Sequence, residues 1–166
     1  IEPTHFGGTG VDSKSLVHTP SFPHRLEAGT LNLLGIIGIS ESLAFLLHEG
    51  IEAIHRREMD LLHRLHDGFS HFKTINIYGP KNLSDHVGLI TVNVEGMSPE
   101  DVGSILDADF GIAVREGLHC APLVHESLGT SPKGGVRFSL GPFTTEEDID
   151  ATLAAMATIA RTKDCC

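Results

Sequence analysis

The chain has 166 residues, with 40% hydrophobic and 20% charged side chains, which is enough for one domain with a sizeable core and is the balance of a soluble globular protein. Its net charge of −10, from 22 acidic residues against 12 Lys and Arg, argues against nucleic acid or an anionic membrane as the main partner, since both need a basic surface. No apolar run nears the roughly 18 residues of a membrane span; the longest, 31–39, is broken by Asn32, Gly35 and Gly38, and no basic-then-apolar signal opens the chain.

The first 30 or so residues show neither helical nor strand period and carry Pro3, Gly7, Gly8, Gly10, Pro20 and Pro23. Residues 31–47 are apolar on nearly all sides, which predicts a buried helix or one face of a large interface. Residues 51–72 predict an amphipathic helix with Ile51, Ile54, Leu61, Leu62, Leu65, Phe69 and Phe72 on one stripe. A short strand is expected over 75–78, closed by Gly79-Pro80, and a central strand over 87–94. Ser98 can cap a helix with Pro99 in its first position and Glu100 and Asp101 in its first turn, running to about Ala108. Strands are expected over 112–114 and 136–140, the latter with Val136, Phe138 and Leu140 on one face and Arg137 on the other. A capping box at Thr144-Thr145-Glu146-Glu147 opens a last helix bearing Ile149, Leu153, Met156 and Ala160. This order predicts an α+β fold, a small, mostly antiparallel sheet covered by helices.

The three cysteines, Cys120, Cys165 and Cys166, are too few and odd in number for a disulfide framework, so a reducing, cytoplasmic compartment is expected. Most of the eleven histidines read as surface residues. The chemistry concentrates in GIAVREGLHCAPLVH, residues 111–125. A loop cysteine close in sequence to Arg115 and His119 has the setting of a nucleophilic thiolate, although an inert half-buried thiol fits the same residues. His119 and Cys120 lack two further ligands at zinc spacing, so no metal is expected. Arg137 is either a plain surface residue or a fork for a carboxylate.

The string GIAVREGLHCAPLVH, followed seventeen residues after Cys120 by Arg137 in GGVRFSLGPFTTEEDID, resembles the C-terminal signature of cysteine desulfurases, fold-type I enzymes of the class V aminotransferase superfamily that depend on pyridoxal 5′-phosphate (PLP). HRLEAGT (24–30) and FGGTG (6–10) resemble two further family segments, in the family's order. The resemblance implies that Cys120 attacks the sulfur of the bound L-cysteine substrate and becomes a persulfide, leaving L-alanine. It implies that Arg137 grips the substrate carboxylate, with Arg115 and His119 beside it. It implies that Gly8, Thr9 and Thr30 reach the PLP phosphate across a homodimer, and it leaves room for a sulfur-acceptor protein.

One departure stands out. The family's cofactor-holding lysine follows a histidine in a Ser-x-His-Lys motif, and none of Lys14, Lys73, Lys81, Lys133 and Lys163 does. The expectation is therefore a C-terminal portion: residues 1–32 from the end of a PLP-binding large domain, and 33–166 a small domain with its connecting helix. Such a piece is expected neither to hold PLP covalently nor to turn over cysteine. The alternatives are another class V lyase, such as a selenocysteine lyase, a non-catalytic dimerisation module, or a redox-sensing thiol protein.

Overall fold

A computed structural model describes residues 1–8, 10–11, 14–80 and 82–161; Thr9, Cys165 and Cys166 lie outside the described residues. The chain divides into two compact units, Ile1–Glu49 and Gly50–Cys166.

The described residues of the first unit are mostly irregular up to Asn32, apart from a 3-10 turn at His24–Leu26. It folds back on itself through the Gly29 amide, which donates to the Gly8 carbonyl at 2.8 Å, and through the His18 ring, whose nitrogens lie 3.2 and 3.1 Å from the Gly7 and Arg25 carbonyls. Helix α1 (Leu33–Glu49) then starts where the Asn32 side chain accepts the Gly35 amide at 3.0 Å. The buried-helix expectation for this segment is corrected: no residue of α1 is buried, and Leu34 and Leu47 are more than 80% exposed. Uniform hydrophobicity gives the helix no polar face to turn outward, so its sequence alone does not say which side is covered.

The second unit is a two-layer sandwich. Helix α2 (Ile51–Ser70) buries Leu61, Leu62, Leu65 and Phe69, the C-terminal half of its predicted stripe. Strands β1 (Ile75–Tyr78) and β2 (Leu89–Val94) pair antiparallel with Ile75 opposite Val94. Helix α3 (Pro99–Phe110) is capped by Ser98, whose hydroxyl accepts the Asp101 amide at 3.1 Å, and ends on Gly111 in the left-handed region at φ 65°. Strand β3 (Arg115–Gly117), helix α4 (Pro122–Ser127), strand β4 (Gly135–Ser139) and helix α5 (Glu146–Arg161) complete the unit. The sheet order is β1-β2-β4-β3, antiparallel throughout, and α2 and α3 pack on one face with α5 against them.

The expected strand over 112–114 is also corrected. The Ile112 amide is consumed in ending α3, donating to the Leu106 carbonyl at 2.9 Å, so pairing begins only at Arg115. Helix α3 accordingly runs two residues past Ala108. Helix α4 was not anticipated; its only sequence signal is Pro122 in the first helical position.

Alternation along β2 and β4 sorts the sheet's faces. Ile90, Val92 and Val94 point into the core with Val136 and Phe138, and Phe138 meets Phe69 with ring centroids 5.3 Å apart. Truncating Phe69 to Ala removes a fully buried ring from this contact and is expected to cost about 3–5 kcal/mol in urea unfolding. At the start of α5, Asp148 and Thr145 exchange bonds: the Thr145 amide donates to the Asp148 carboxylate at 2.9 Å and the Asp148 amide to the Thr145 hydroxyl at 3.2 Å. The Thr145 amide and hydroxyl hold the Asp148 carboxyl below its ordinary range. Its contribution to stability is thus present above the unfolded Asp value and is lost as pH falls through the lower folded value. Thr145→Ala removes the hydroxyl but keeps the amide, so it should reduce this acid-side loss only in part, measured as a flatter stability-versus-pH curve below pH ~4.

Candidate active site

The register of three strands builds the site. Arg115 stands directly opposite Arg137, and Arg137 directly opposite Thr91, which in turn faces Tyr78. One row of side chains therefore crosses all four strands on the face away from the helices. Two guanidinium groups in a cross-strand pair repel one another. The pair is also unsatisfied on the Arg137 side, where Nε is buried and has no hydrogen-bond partner. A buried unpaired donor on a cation costs free energy unless an acceptor, preferably an anion, meets it.

The thiol sits at the end of this row. After β3 the chain turns through Leu118, His119 and Cys120, with both His119 (φ 53°) and Cys120 (φ 58°) left-handed. Such angles are uncommon outside glycine and persist only where the surroundings enforce them. Three contacts do so. The Ala121 amide donates to the Leu118 carbonyl at 2.8 Å, the His119 ring Nε2 lies 2.9 Å from the Arg115 carbonyl, and Arg115 Nη2 donates to Cys120 Sγ at 3.4 Å. Cys120 is exposed and its thiol is free. The arrangement presents a solvent-accessible sulfur against a guanidinium, beside a second guanidinium with a donor to spare.

His119 is half-buried, and its pKa is lowered. Burial is the largest cause; the Arg115 carbonyl opposes it, and the electrostatic influence of Arg137, His125 and Arg115 adds to it. His119 is therefore a neutral imidazole at pH 7. Its second nitrogen meets His125, which is only 3% exposed and not the surface residue its sequence setting suggests.

Arg115, His119, Cys120 and Arg137 thus lie together around one turn and one strand pair. Gly8 and Thr30 lie in the other unit, on the rim of a hollow of about 470 Å³ that Gly10, His24 and Glu27 also line. Nothing lies within 4 Å of where a Cβ on Gly8 would stand, so a ligand can approach this backbone closely. Main-chain amides with the Thr30 hydroxyl are a donor set that fits the phosphate end of PLP. Among the described residues no lysine lines the hollow. Among the described residues no cluster of His, Cys, Asp or Glu could hold a metal ion, and no single helix is long and apolar enough to cross a membrane.

Known proteins share this α+β fold. The chain belongs to the aminotransferase class-V family, whose model matches residues 1–152. A Halalkalibacterium halodurans protein named "Probable cysteine desulfurase" is 36% identical over 153 residues, and a Methanothermobacter thermautotrophicus protein of the same name is 38% identical over 146. These alignments cover 91% and 86% of this chain and 36% of each relative. The apo structure of a cysteine desulfurase from Thermococcus onnurineus superposes with a TM-score of 0.84 at 35% identity, over 97% of this chain and 40% of that one. A cysteine desulfurase from Escherichia coli, solved in an S-sulfonic acid form, gives 0.79 at 28% identity over 97% and 39%. The chain therefore spans about two fifths of the length of the proteins it matches.

The His119 titration is directly observable. Its midpoint, followed by ring NMR shifts, is expected below that of a free histidine. Arg137→Gln should raise it only part of the way, since burial outweighs the charge of Arg137. Because the folded value is depressed, the accompanying stability is present above the ordinary histidine range and lost as pH falls through the folded midpoint.

Proposed function

We propose that this chain is the part of a PLP-dependent cysteine desulfurase that carries the sulfur-accepting thiol and the carboxylate fork. The observation that carries the reading is the unsatisfied Arg137 guanidinium, paired across the sheet with Arg115, whose own guanidinium holds Cys120 Sγ. An amino-acid carboxylate satisfies the unpaired donor, offsets the repulsion between the arginines and brings the rest of the substrate to the thiol.

The roles of this chain's residues follow. Arg137 binds and orients the carboxylate of L-cysteine, and Arg115 shares that negative charge while directing the thiol. Neutral His119 closes the turn without adding a third positive charge. Bound PLP supplies the electron sink for the amino-acid carbon skeleton. The Cys120 thiolate attacks the substrate sulfur; the new S–S bond forms as the substrate Cβ–S bond breaks. The electron pair of the broken bond goes to the carbon side, where a proton completes L-alanine, and Cys120 is left as a persulfide. The exposed position of Cys120 on a turn lets a sulfur-acceptor protein or a small thiol collect the sulfur. Gly8 and Thr30, with Thr9, are assigned to the phosphate of PLP in a homodimer whose contact surface includes the exposed apolar side chains of α1. A reducing compartment suits a thiol that must stay free between turnovers.

The decisive experiment uses the full-length enzyme. Cys120→Ala is expected to lower alanine formation from cysteine by roughly a hundredfold or more, the scale on which a lost catalytic group is felt. Arg137→Lys, which keeps the charge but loses the fork, should raise KM for cysteine by about 10–100-fold. Undiminished alanine production by Cys120→Ala would sink the persulfide role. The 166-residue chain alone, which holds no lysine after a histidine, is expected to show no visible absorption beyond that of free PLP and no cysteine turnover.

A further inference from the structure

Behind the cysteine turn lies a hydrogen-bonded line of side chains with one consistent set of proton positions. A carbonyl oxygen only accepts, so the His119 nitrogen 2.9 Å from the Arg115 carbonyl, Nε2, carries its proton. In the neutral ring Nδ1 is then bare and must accept. The group it meets, at 3.3 Å, is Nε2 of His125, which therefore donates. With both rings neutral, His125 Nδ1 is bare; the Thr130 hydroxyl lies 2.7 Å from it and 3.3 Å from the His125 carbonyl, and its one proton goes to the nearer ring nitrogen. The two rings lie with centroids 5.2 Å apart, and both His125 and Thr130 are buried. The direction of the line is set from the Arg115 carbonyl, which cannot donate, whereas the hydroxyl at the far end can either donate or accept.

We infer that His125, oriented by Thr130, is a positioning residue for Cys120: it fixes the tautomer of His119 and so holds the turn in the left-handed conformation that brings the thiol to Arg115. The inference rests on the sulfur-transfer reading for its purpose, but its geometry stands on the hydrogen bonds alone. If His119 moved its proton to Nδ1, its bare Nε2 would face the lone pairs of the Arg115 carbonyl and that bond would be lost. The left-handed angles at His119 and Cys120 would then lose one of their three restraints. His125 sits on α4, whose first turn is tied to the turn by the Val124 and His125 amides, both donating to the Ala121 carbonyl. The same short helix that follows the cysteine thus carries the group that positions it. The charged and titratable groups acting on His119 are Arg115 on β3, Arg137 on β4 and His125 on α4.

The test needs no cysteine turnover, so its failure and that of the desulfurase reading are separable. It uses the full 166-residue chain with Cys165 and Cys166 replaced by Ser. Ring nitrogen shifts report the His119 tautomer and midpoint, and Cα and Cβ shifts at residues 119 and 120 report left-handed backbone. In the parent the Nε2–H tautomer and left-handed shifts are expected. His125→Leu keeps bulk but no donor; it should mix the His119 tautomers, average the turn's shifts, and raise the His119 midpoint by about 0.5–1 pH unit, the bias of one hydrogen bond to the neutral ring. His125→Gln, whose amide reaches where Nε2 stood, should restore all three. Thr130→Val serves where His125→Leu fails to fold, and should mix the tautomers of both rings. An Nδ1–H tautomer on His119 in the parent overturns the inference. So do His125→Leu or Thr130→Val spectra that keep the parent's tautomer and turn shifts, or a His125→Gln that rescues no better than Leu, which would leave only packing.

Discussion

The register between β4 and its two neighbours is the constraint on which everything else depends. With Val136 opposite Val92 and Phe138 opposite Ile90, the core face is sealed and Arg137 falls on the other side, between Thr91 and Arg115. A slip of one residue would send Arg137 into the core and Val136 onto the site, because strand side chains alternate strictly. Two adjacent glycines guard this register. A Cβ on Gly134, which has φ 79°, would collide with the Gly117 carbonyl, and one on Gly135 would stand 2.7 Å from a Thr91 methyl carbon. Gly134 thus lets β3 come close to the start of β4, and Gly135 lets β2 do so from the other side. The placement of Arg115 opposite Arg137 is thus fixed by packing that neither arginine takes part in.

The turn that carries Cys120 obeys a different kind of constraint. It has no core of its own: Arg115 and Cys120 are exposed, and the segment is held by hydrogen bonds that run backwards to Arg115 and inwards through His119, His125 and Thr130. Strands fix the arginines to the precision of a ladder, while polar side chains fix the thiol to that of a few directed bonds. This difference suits the two tasks proposed for them. A carboxylate fork gains from rigidity, whereas a sulfur carrier must meet a substrate on one side and an acceptor on the other.

Periodicity carried most of the fold. The stripe of α2, the alternation of β2 and β4 and the Ser98 cap appear where local pattern places them, because each is decided by residues within one or two turns, while the box that opens α5 falls one residue later than the expected 144–147, on Thr145 and Asp148. The misses are positions decided from elsewhere. Ile112-Ala-Val114 has strand composition, yet the Ile112 amide is claimed by the end of α3, a competition that composition does not encode. Helix α1 is apolar all round, so its sequence fixes its conformation and leaves its covering undetermined. Arg115, Cys120 and Arg137 were legible as a motif, but not the fact that the two arginines face each other, which depends on β3 pairing with β4. His125 was hidden among eleven histidines. Its only local marker is a place five residues before Thr130, a spacing that acquires meaning once α4 exists.

The electrostatics of the site run against those of the chain. A protein with a net charge of −10 has gathered two guanidinium groups on one row, left a donor on one of them buried and unpaired, and kept the nearest imidazole neutral. Each of these is unfavourable or costly in isolation, and none improves the packing of the sheet, whose core is on the opposite face. What they share is that a single anion at Arg137 relieves the first two at once, while the third keeps the cationic field from growing strong enough to hold that anion indefinitely. Neutrality of His119 follows from its burial and from the two arginines themselves, so the field limits its own strength. The turnover proposed for this site, in which a carboxylate is bound and a product released, needs this balance more than it needs affinity, since binding that is equally tight before and after a reaction does not speed it.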